Sequence, residues 1–168
     1  KHPDVRRMLM SMRSRTEAMR ALAYVTAAAQ DNAHSNPDEV LRKKGQAFAD
    51  LMIPVVKGWS TESAIDIASL GVQVHGGMGF IEETGAAQHL RDARITAIYE
   101  GTTAIQANDL IGRKIAREQG VTIKAVIGEM RSDAAKLDGD LAGIGARQQA
   151  AIDAVDKAVD WIVANFTN

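Results

Sequence analysis

The segment around Glu100 has the residue types that a general base would need. Glu100 follows the apolar residues Ile98 and Tyr99 and precedes Gly101. Because glycine has no side chain and tolerates unusual backbone angles, it leaves the neighbouring carboxylate uncovered. A threonine at position 102 or 103 can accept hydrogen bonds from the free amides at a helix start. The pattern predicts a general base at a helix start, although ordinary helix capping would use the same residue types.

A second segment has three glycines within four residues, Gly76, Gly77 and Gly79, shortly after Gln73. Glycines at this density let the backbone approach a ligand closely, and the Gln73 amide can donate and accept hydrogen bonds. The segment predicts a cradle for a cofactor, and a tight turn between helices is the ordinary alternative. It lacks the Lys-Ser/Thr ending of a Walker loop and the preceding strand of a dinucleotide fingerprint.

Composition excludes several classes of function. The 168 residues include 20 basic and 21 acidic side chains, so the chain lacks the positive excess that nucleic acid or an anionic membrane selects. It has no cysteine, which excludes disulfides and thiolate zinc sites and favours a cytoplasmic or organelle-matrix setting. No apolar run is long enough to span a bilayer, and the histidines show no metal-ligand spacing. We therefore expect no nucleic-acid partner, no membrane span and no metal.

The spacing of apolar residues predicts an all-α fold. Apolar side chains recur at steps of three and four in a chain with only three prolines and few aromatic residues. This spacing predicts that Met8 in the first helix and Phe48, Met52, Val55 and Trp59 in the second face the core. The predicted helices cover residues 3–31, 37–75, 85–98, 100–119, 121–138 and 148–166, and the glycine cluster from Gly76 to Gly79 is expected to stop the second. We expect the first four to form an antiparallel four-helix bundle over residues 1–119. Residues 120–168 are expected to form an appended helical hairpin, with a glycine-bearing break at 139–145.

Three motifs, taken together and in this order, resemble the C-terminal helical domain of the acyl-CoA dehydrogenases. They are Gln73-x-x-Gly-Gly-x-Gly-Phe80, Arg91-Asp92-Ala93-Arg94-Ile95 and Ile98-Tyr99-Glu100-Gly101-Thr102. The resemblance covers about residues 1–119. The segment beyond it is similar to the extra C-terminal part of a larger branch, which includes the long-chain and the 3-methylmercaptopropionyl-CoA dehydrogenases.

The resemblance implies the reaction and the roles of the first group of residues. Glu100 matches the family's catalytic base, which removes an α-proton from an acyl-CoA thioester while the β-hydrogen leaves as hydride to FAD. The product would be a trans-2-enoyl-CoA. Gly101 would line the thioester end of the substrate site, and Tyr99 would help to shape the acyl pocket.

The resemblance also implies a cofactor and partners. Gln73, Gly76 and Gly77 match positions that contact the adenosine half of FAD bound to a neighbouring subunit, and Thr102 matches a flavin contact. The protein would therefore be a homo-oligomer, a dimer or a tetramer. Electron-transfer flavoprotein would accept the electrons.

Two other functions fit the same sequence features. An acyl-CoA oxidase of the same fold would pass its electrons to oxygen, and a non-catalytic helical module would keep the bundle only for oligomerisation. Family members also have an N-terminal helical domain and a middle β-domain, and neither is found in these 168 residues. We therefore expect this chain alone to bind FAD poorly and to be inactive.

Overall fold

The computed structural model describes residues 2–166, so Lys1, Thr167 and Asn168, at the outer ends of the two predicted segments, lie outside the described residues. Secondary structure within this range is helical, without a strand. The prediction of an all-α chain is confirmed. The chain divides after Ala107 into two compact units, which are described separately.

The helices of the described residues differ widely in length. In chain order they are α1 Pro3–Ser35, α2 Glu39–Val74, α3 Gly77–Phe80, α4 Ala86–Thr96, α5 Thr103–Asn108, α6 Val121–Ala134 and α7 Ala142–Asn165. Single 3-10 turns occupy Glu82–Thr84 and Gly139–Leu141, and a π-helical segment, Asp109–Ala116, follows α5. The predicted fourth helix is therefore an α-helix that changes to π-helix.

Two long helices, α1 and α2, form the frame of the first unit. They are antiparallel, since Arg15 of α1 pairs with Asp66 near the end of α2, whereas Ala29 of α1 lies beside Gly45 near the start of α2. A Cβ atom added to Gly45 would lie 2.6 Å from the carbonyl oxygen of Ala29. Glycine at position 45 thus permits a close approach of the two backbones. Leu51 of α2 is almost completely buried in this unit.

Helix α4 runs back along α2 and brings the chain to the Glu100 segment. Ala86, at its start, and Ala97, just after its end, are buried, and small residues at these positions allow α4 to lie close to its neighbours. Near the end of α4, the Lys57 side chain from the middle of α2 donates a hydrogen bond to the carbonyl oxygen of Thr96. The packing of α2 and α4 therefore sets the position at which the segment 97–102 begins.

The second unit contains α6, α7 and the π-helical segment, with Ile127, Ile152 and Val159 as its most buried large side chains. A group of ion pairs joins α6 to α7. Asp156 accepts hydrogen bonds from Lys124 and, at 2.7 Å, from Arg131. These two bonds lower the pKa of the Asp156 carboxyl below its ordinary value, and the bond from Lys124 has the larger effect.

Several helix boundaries differ from those expected. Helix α7 begins at Ala142, so the predicted break at 139–145 is wrong beyond its first residues. A glycine inside a helix weakens it, but a Cβ atom at Gly145 would lie 3.0 Å from the Ala134 carbonyl oxygen, so close packing on α6 favours glycine there. Helix α2 ends at Val74, just before the glycine cluster, as predicted, but the short helix α3 that follows it was not predicted.

The apolar faces were predicted only in part. Met8 of α1 and Met52 of α2 are buried as their helical spacing indicates. Trp59, assigned to the core by the same spacing, has 42% of its surface exposed. The assignment of residues 1–119 to a catalytic bundle and of 120–168 to an appended segment stays a prediction.

Candidate functional site

The loop that carries Glu100 has an unusual backbone. Glu100 has φ 53° and Gly101 has φ 91°, so two consecutive residues adopt positive φ angles. Glycine adopts such angles freely, whereas a residue with a Cβ atom loses about 1–2 kcal/mol in the left-handed region. The loop thus holds Glu100 in a conformation that its own residue type disfavours.

The side chain of Lys57 contacts the main chain of this loop. The Lys57 ammonium donates hydrogen bonds to three carbonyl oxygens, those of Thr96 at 2.7 Å, Tyr99 at 2.9 Å and Gly101 at 2.8 Å. An ammonium group has three protons, and each has an acceptor here. The same ammonium lies 5.6 Å from the centroid of the Tyr99 ring, within range of a cation–π interaction. A single side chain of α2 therefore contacts the loop on both sides of Glu100.

Thr102 caps the helix that follows the loop. Its hydroxyl oxygen accepts a hydrogen bond from the Ile105 amide at 3.4 Å, and its carbonyl accepts one from the Gln106 amide at 3.0 Å. The neighbouring hydroxyl of Thr103 instead donates to the Glu62 carboxylate on α2, at 2.5 Å. Of the two threonines considered from the sequence, Thr102 is the cap and Thr103 is a second link from the loop region to α2.

The Glu100 carboxylate does not take part in this capping. Between residues 2 and 166, its oxygens accept no hydrogen bond and form no ion pair, and the residue is exposed. The Glu100 amide also lacks a backbone acceptor within this range, whereas the Glu100 carbonyl accepts a long contact from the Gln106 side chain, at 3.5 Å. The loop therefore presents a carboxylate and an amide N–H from the same residue without internal partners.

The two neighbours of Glu100 differ in how they are held. Tyr99 has half of its surface exposed, and the Lys57 ammonium lies over its ring. Gly101 is less exposed, and a Cβ atom added to it would lie 2.9 Å from the side-chain nitrogen Nε2 of Gln106. Because the φ angle of Gly101 is also positive, any other residue at this position would be strained.

The glycine segment lies at the end of α2. Gln73 is an exposed residue in the last turn of that helix. Gly76 has φ 61° and ψ −145°, a combination available essentially to glycine alone, and Gly77 begins α3. Added Cβ atoms at both glycines would meet no atom within 4 Å, so backbone geometry requires glycine at position 76 only. At Gly79, by contrast, a Cβ atom would collide with the Val72 carbonyl oxygen at 2.2 Å.

The structure brings together one predicted group of residues but separates it from the other. Tyr99, Glu100, Gly101 and Thr102 are consecutive in one loop that Lys57 contacts. Gln73 lies sixteen residues beyond Lys57 on α2, which is about 24 Å along the helix axis at ~1.5 Å per residue. Within one copy of the chain the two groups are thus distinct surfaces of the first unit.

The sequence interpretation did not single out Lys57, although a signal was present. Lys57 is the only charged residue between Leu51 and Trp59, and it is half-buried. A lysine is seldom buried unless polar groups surround its charge, so a lone lysine in an apolar helical stretch indicates a set of acceptors. Its acceptors are main-chain carbonyls, which the sequence does not identify.

Among the described residues there is no group of three or more His, Cys, Asp or Glu side chains arranged to hold a metal ion. None of the helices between residues 2 and 166 combines the length and apolarity needed to cross a bilayer. The fold and the loop together define an all-helical domain that presents an exposed carboxylate on an anchored loop.

Comparison with known proteins places this domain in a family. Residues 1–116 match the model of the family described as "Acyl-CoA dehydrogenase, C-terminal domain". The chain belongs to the acyl-CoA dehydrogenase family and corresponds to its C-terminal domain. The resemblance inferred from the three motifs is confirmed.

Three relatives illustrate the relationship. A 3-methylmercaptopropionyl-CoA dehydrogenase from Ruegeria pomeroyi is 60% identical over 123 residues, which are 73% of this chain and 21% of the relative. The broad-specificity linear acyl-CoA dehydrogenase FadE5 of Mycobacterium tuberculosis is 44% identical over 131 residues, 77% of this chain and 21% of the relative. A butyryl-CoA dehydrogenase from Syntrophomonas wolfei is 36% identical over 129 residues, with the same two shares. The chain thus spans about a fifth of the length of these relatives.

Proposed function

We propose that this chain is the helical catalytic domain of an FAD-dependent acyl-CoA dehydrogenase that converts an acyl-CoA thioester to the trans-2-enoyl-CoA. Glu100 is the base that removes the α-proton. The observation that carries the proposal is the free carboxylate of Glu100, held on a loop that Lys57 contacts through three carbonyl groups. Membership of the family supports the reaction class.

The chemistry assigned to this chain is proton transfer. The proton on the α-carbon moves to the Glu100 carboxylate, and the electron pair of that C–H bond spreads onto the thioester oxygen. Because a carboxylate is a weak base for this task, positioning and stabilisation of the developing negative charge supply most of the rate. The free amide N–H of Glu100 is a donor for that oxygen, Gly101 lines the thioester end, and Tyr99 borders the acyl chain.

Bound FAD would supply the acceptor for the β-hydrogen, which leaves the substrate as hydride. The residues assigned to it fit such a group, since Gln73 offers an exposed amide, and Gly76 and Gly77 leave open space beside the backbone. Thr102, next to the base, is the assigned contact at the flavin end. By the family resemblance, Gln73, Gly76 and Gly77 contact the FAD of a neighbouring subunit, and the complete protein is therefore a homo-oligomer, a dimer or a tetramer.

The proposal includes a partner and a cellular location. Electron-transfer flavoprotein is the assigned electron acceptor, and the bacterial cytoplasm or the mitochondrial matrix is the assigned compartment. If the complete protein instead reduces oxygen to peroxide without such a partner, it is an oxidase of the same fold. If it binds neither FAD nor acyl-CoA, the domain serves oligomerisation only. Purification of this 168-residue chain with stoichiometric flavin would contradict the expectation that it binds FAD poorly.

Replacement of the base tests the reaction assignment. In the complete enzyme, Glu100→Gln keeps the size and exposure of the side chain but removes its basicity. We expect turnover to fall by at least about a hundredfold, the typical loss on removal of a general base, with flavin content unchanged. Steady-state turnover and the flavin absorbance of the purified variant measure the two quantities. Dehydrogenation at the wild-type rate would show that another residue is the base.

A further inference from the structure

We infer that Lys57 is a positioning residue for Glu100: its ammonium group binds the main-chain carbonyls on both sides of Glu100 and holds the base in the orientation that proton transfer requires. The inference rests on the proposed function of Glu100. It assigns to Lys57 no contact with substrate or cofactor.

The three hydrogen bonds of Lys57 exceed what a helix end needs. A lysine near the C-terminus of a helix commonly binds one of the last free carbonyls, and the bond to Thr96 at the end of α4 has this role. The bonds to Tyr99 and Gly101 lie beyond the helix, directly before and after Glu100 in the chain. The ammonium therefore fixes the peptide group that directly precedes Glu100 and the Gly101–Thr102 peptide group, which lies one peptide beyond Glu100.

The backbone of Glu100 requires such a restraint. A glutamate at φ 53° leaves that conformation unless surrounding contacts hold it. Two hydrogen bonds of the residues that follow Gly101 fix the far side of the loop: the Thr103 hydroxyl donates to the Glu62 carboxylate, and the Ile105 amide donates to the Thr102 hydroxyl. Only Lys57 binds carbonyls on both sides of Glu100 within residues 2–166.

The environment of Lys57 indicates that its charge is needed to bind the loop carbonyls. Lys57 is half-buried in an otherwise apolar stretch of α2 and forms no ion pair with any residue of the described range. Burial of a cation is costly unless polar groups compensate for the lost water, and the carbonyl dipoles provide that compensation. A role in packing alone would be filled equally well by methionine, which has the same length without the charge.

The decisive experiment measures the action of the base without the redox step. The probe is an acyl-CoA with sulfur in place of the β-carbon, which has an acidic α-proton but no hydrogen on the β-atom to transfer. In D2O, Glu100 removes the α-proton and a deuteron returns to the same carbon, so mass spectrometry of the probe reports the exchange rate. Wild type, Glu100→Gln, Lys57→Met and Lys57→Arg are compared as the complete, flavin-loaded enzyme. Lys43→Met is the matched control, since Lys43 is an exposed lysine of α2 that pairs with Glu39.

We expect Lys57→Met to exchange at least about tenfold more slowly per bound flavin, with probe affinity within about threefold of wild type, because misplacement of a base affects the rate more than binding. Lys57→Arg keeps the charge but spreads its donors over a planar fork, so its rate is expected between those of Lys57→Met and wild type. Lys43→Met should exchange at the wild-type rate. Amide hydrogen exchange of the peptide 96–102 should be faster in Lys57→Met than in Lys43→Met.

The outcomes separate this inference from the proposed function. If Glu100→Gln retains exchange, Glu100 is not the base, and both proposals fail. If Glu100→Gln loses exchange while folded, flavin-loaded Lys57→Met keeps the wild-type rate, only the positioning role fails. If Lys57→Met does not fold, Lys57→Arg decides, because a wild-type rate in that variant would overturn the need for one ammonium bound to three carbonyls. A slower rate in Lys57→Arg with unchanged probe affinity would support it.

Discussion

Glu100 and Gly101 are consecutive residues that both adopt positive φ angles, 53° and 91°, yet only the second is a glycine. Gly101 suits this conformation, and Glu100 does not. The carboxylate of Glu100 forms no compensating hydrogen bond or ion pair within the described residues. A residue kept in a disfavoured conformation without a structural partner is typical of a functional position, where strain is tolerated for the sake of chemistry.

Replacement of Glu100 by glycine should therefore stabilise the chain. Glycine relieves the strain of a positive φ but adds freedom to the unfolded state, and the net gain is about 0.5–1 kcal/mol. The unfolding midpoint in urea, compared among wild type, Glu100→Gly and Glu100→Ala, measures this gain. Glu100→Ala keeps the strained backbone and removes the carboxylate, so it should not share the gain. A Glu100→Gly chain that is less stable than wild type would show that the glutamate stabilises its own loop.

Gly76 and Gly77 should respond differently to alanine. Gly76→Ala forces a Cβ atom into a backbone conformation reserved for glycine, so we expect a loss of about 1–3 kcal/mol in stability. Gly77 has an ordinary φ angle and open space, so Gly77→Ala should fold as wild type does. In the complete enzyme, the dissociation constant of FAD for Gly77→Ala then tests whether cofactor approaches this backbone. Unchanged FAD binding in that folded variant would contradict the assignment of Gly77.

The close contact of α1 and α2 at Gly45 should be sensitive to a single methyl group. Gly45→Ala would place its Cβ atom 2.6 Å from the Ala29 carbonyl oxygen, and we expect a loss of about 1–3 kcal/mol from overpacking. Gly71 lies in the same helix, and its added Cβ atom would lie 3.8 Å from the Met12 side chain, an ordinary contact. Gly71→Ala should thus be neutral or more stable by up to about 1 kcal/mol. Equal unfolding midpoints for the two variants would contradict the close approach.

The ion pairs of Asp156 should make stability depend on pH. Hydrogen bonds from Lys124 and then Arg131 lower the pKa of Asp156 in the folded state, so the unfolded chain takes up its proton first as the pH falls. The stabilisation is complete above the unfolded pKa, about 4, and is lost as the pH falls through the folded pKa. We expect Asp156→Asn to be less stable than wild type at pH 7 and to approach it near pH 3. Urea unfolding at both values measures this.

Asp133→Asn is the control for the pH experiment. Asp133 pairs with Lys136 on the surface of the same unit, and both side chains are about 70% exposed. Such a pair contributes little to stability, so its loss should leave the pH dependence of wild type unchanged. If Asp156→Asn and wild type differ equally at pH 7 and pH 3, the carboxylate charge of Asp156 is not the stabilising feature.

The helical class and most helix ends follow from local features of the sequence. Asp38 caps α2 through the Val40 amide, and the spacing of apolar residues indicates α1 and α2. The start of α7 at Ala142 was not predictable in this way, because contact with α6 outweighs the low helix propensity of Gly145. Trp59 was misplaced because periodicity indicates an apolar face but not whether another element covers it.

The Glu100 site was predictable as a motif but not as a geometry. The residues from Tyr99 to Thr102 are neighbours in the chain, so their proximity requires no knowledge of the fold. The positive φ angle of Glu100 and the contacts of Lys57 depend on how α2 and α4 pack. Hydrogen bonds from a side chain to main-chain carbonyls leave no pattern in the residues that accept them.

Lys57 recognises the carbonyl groups of positions 96, 99 and 101, and every amino acid supplies the same carbonyl. During evolution, the side chain at position 96 can therefore change without any compensating change at position 57, whereas Tyr99 also contacts Lys57 through its ring. Insertion or deletion of one residue between positions 96 and 101, by contrast, would move the three carbonyls so that one ammonium could no longer bind them all. Among relatives, the anchor should thus leave its trace as a constant loop length and a constant lysine, while methods based on correlated substitutions should detect no coupling between positions 57 and 96.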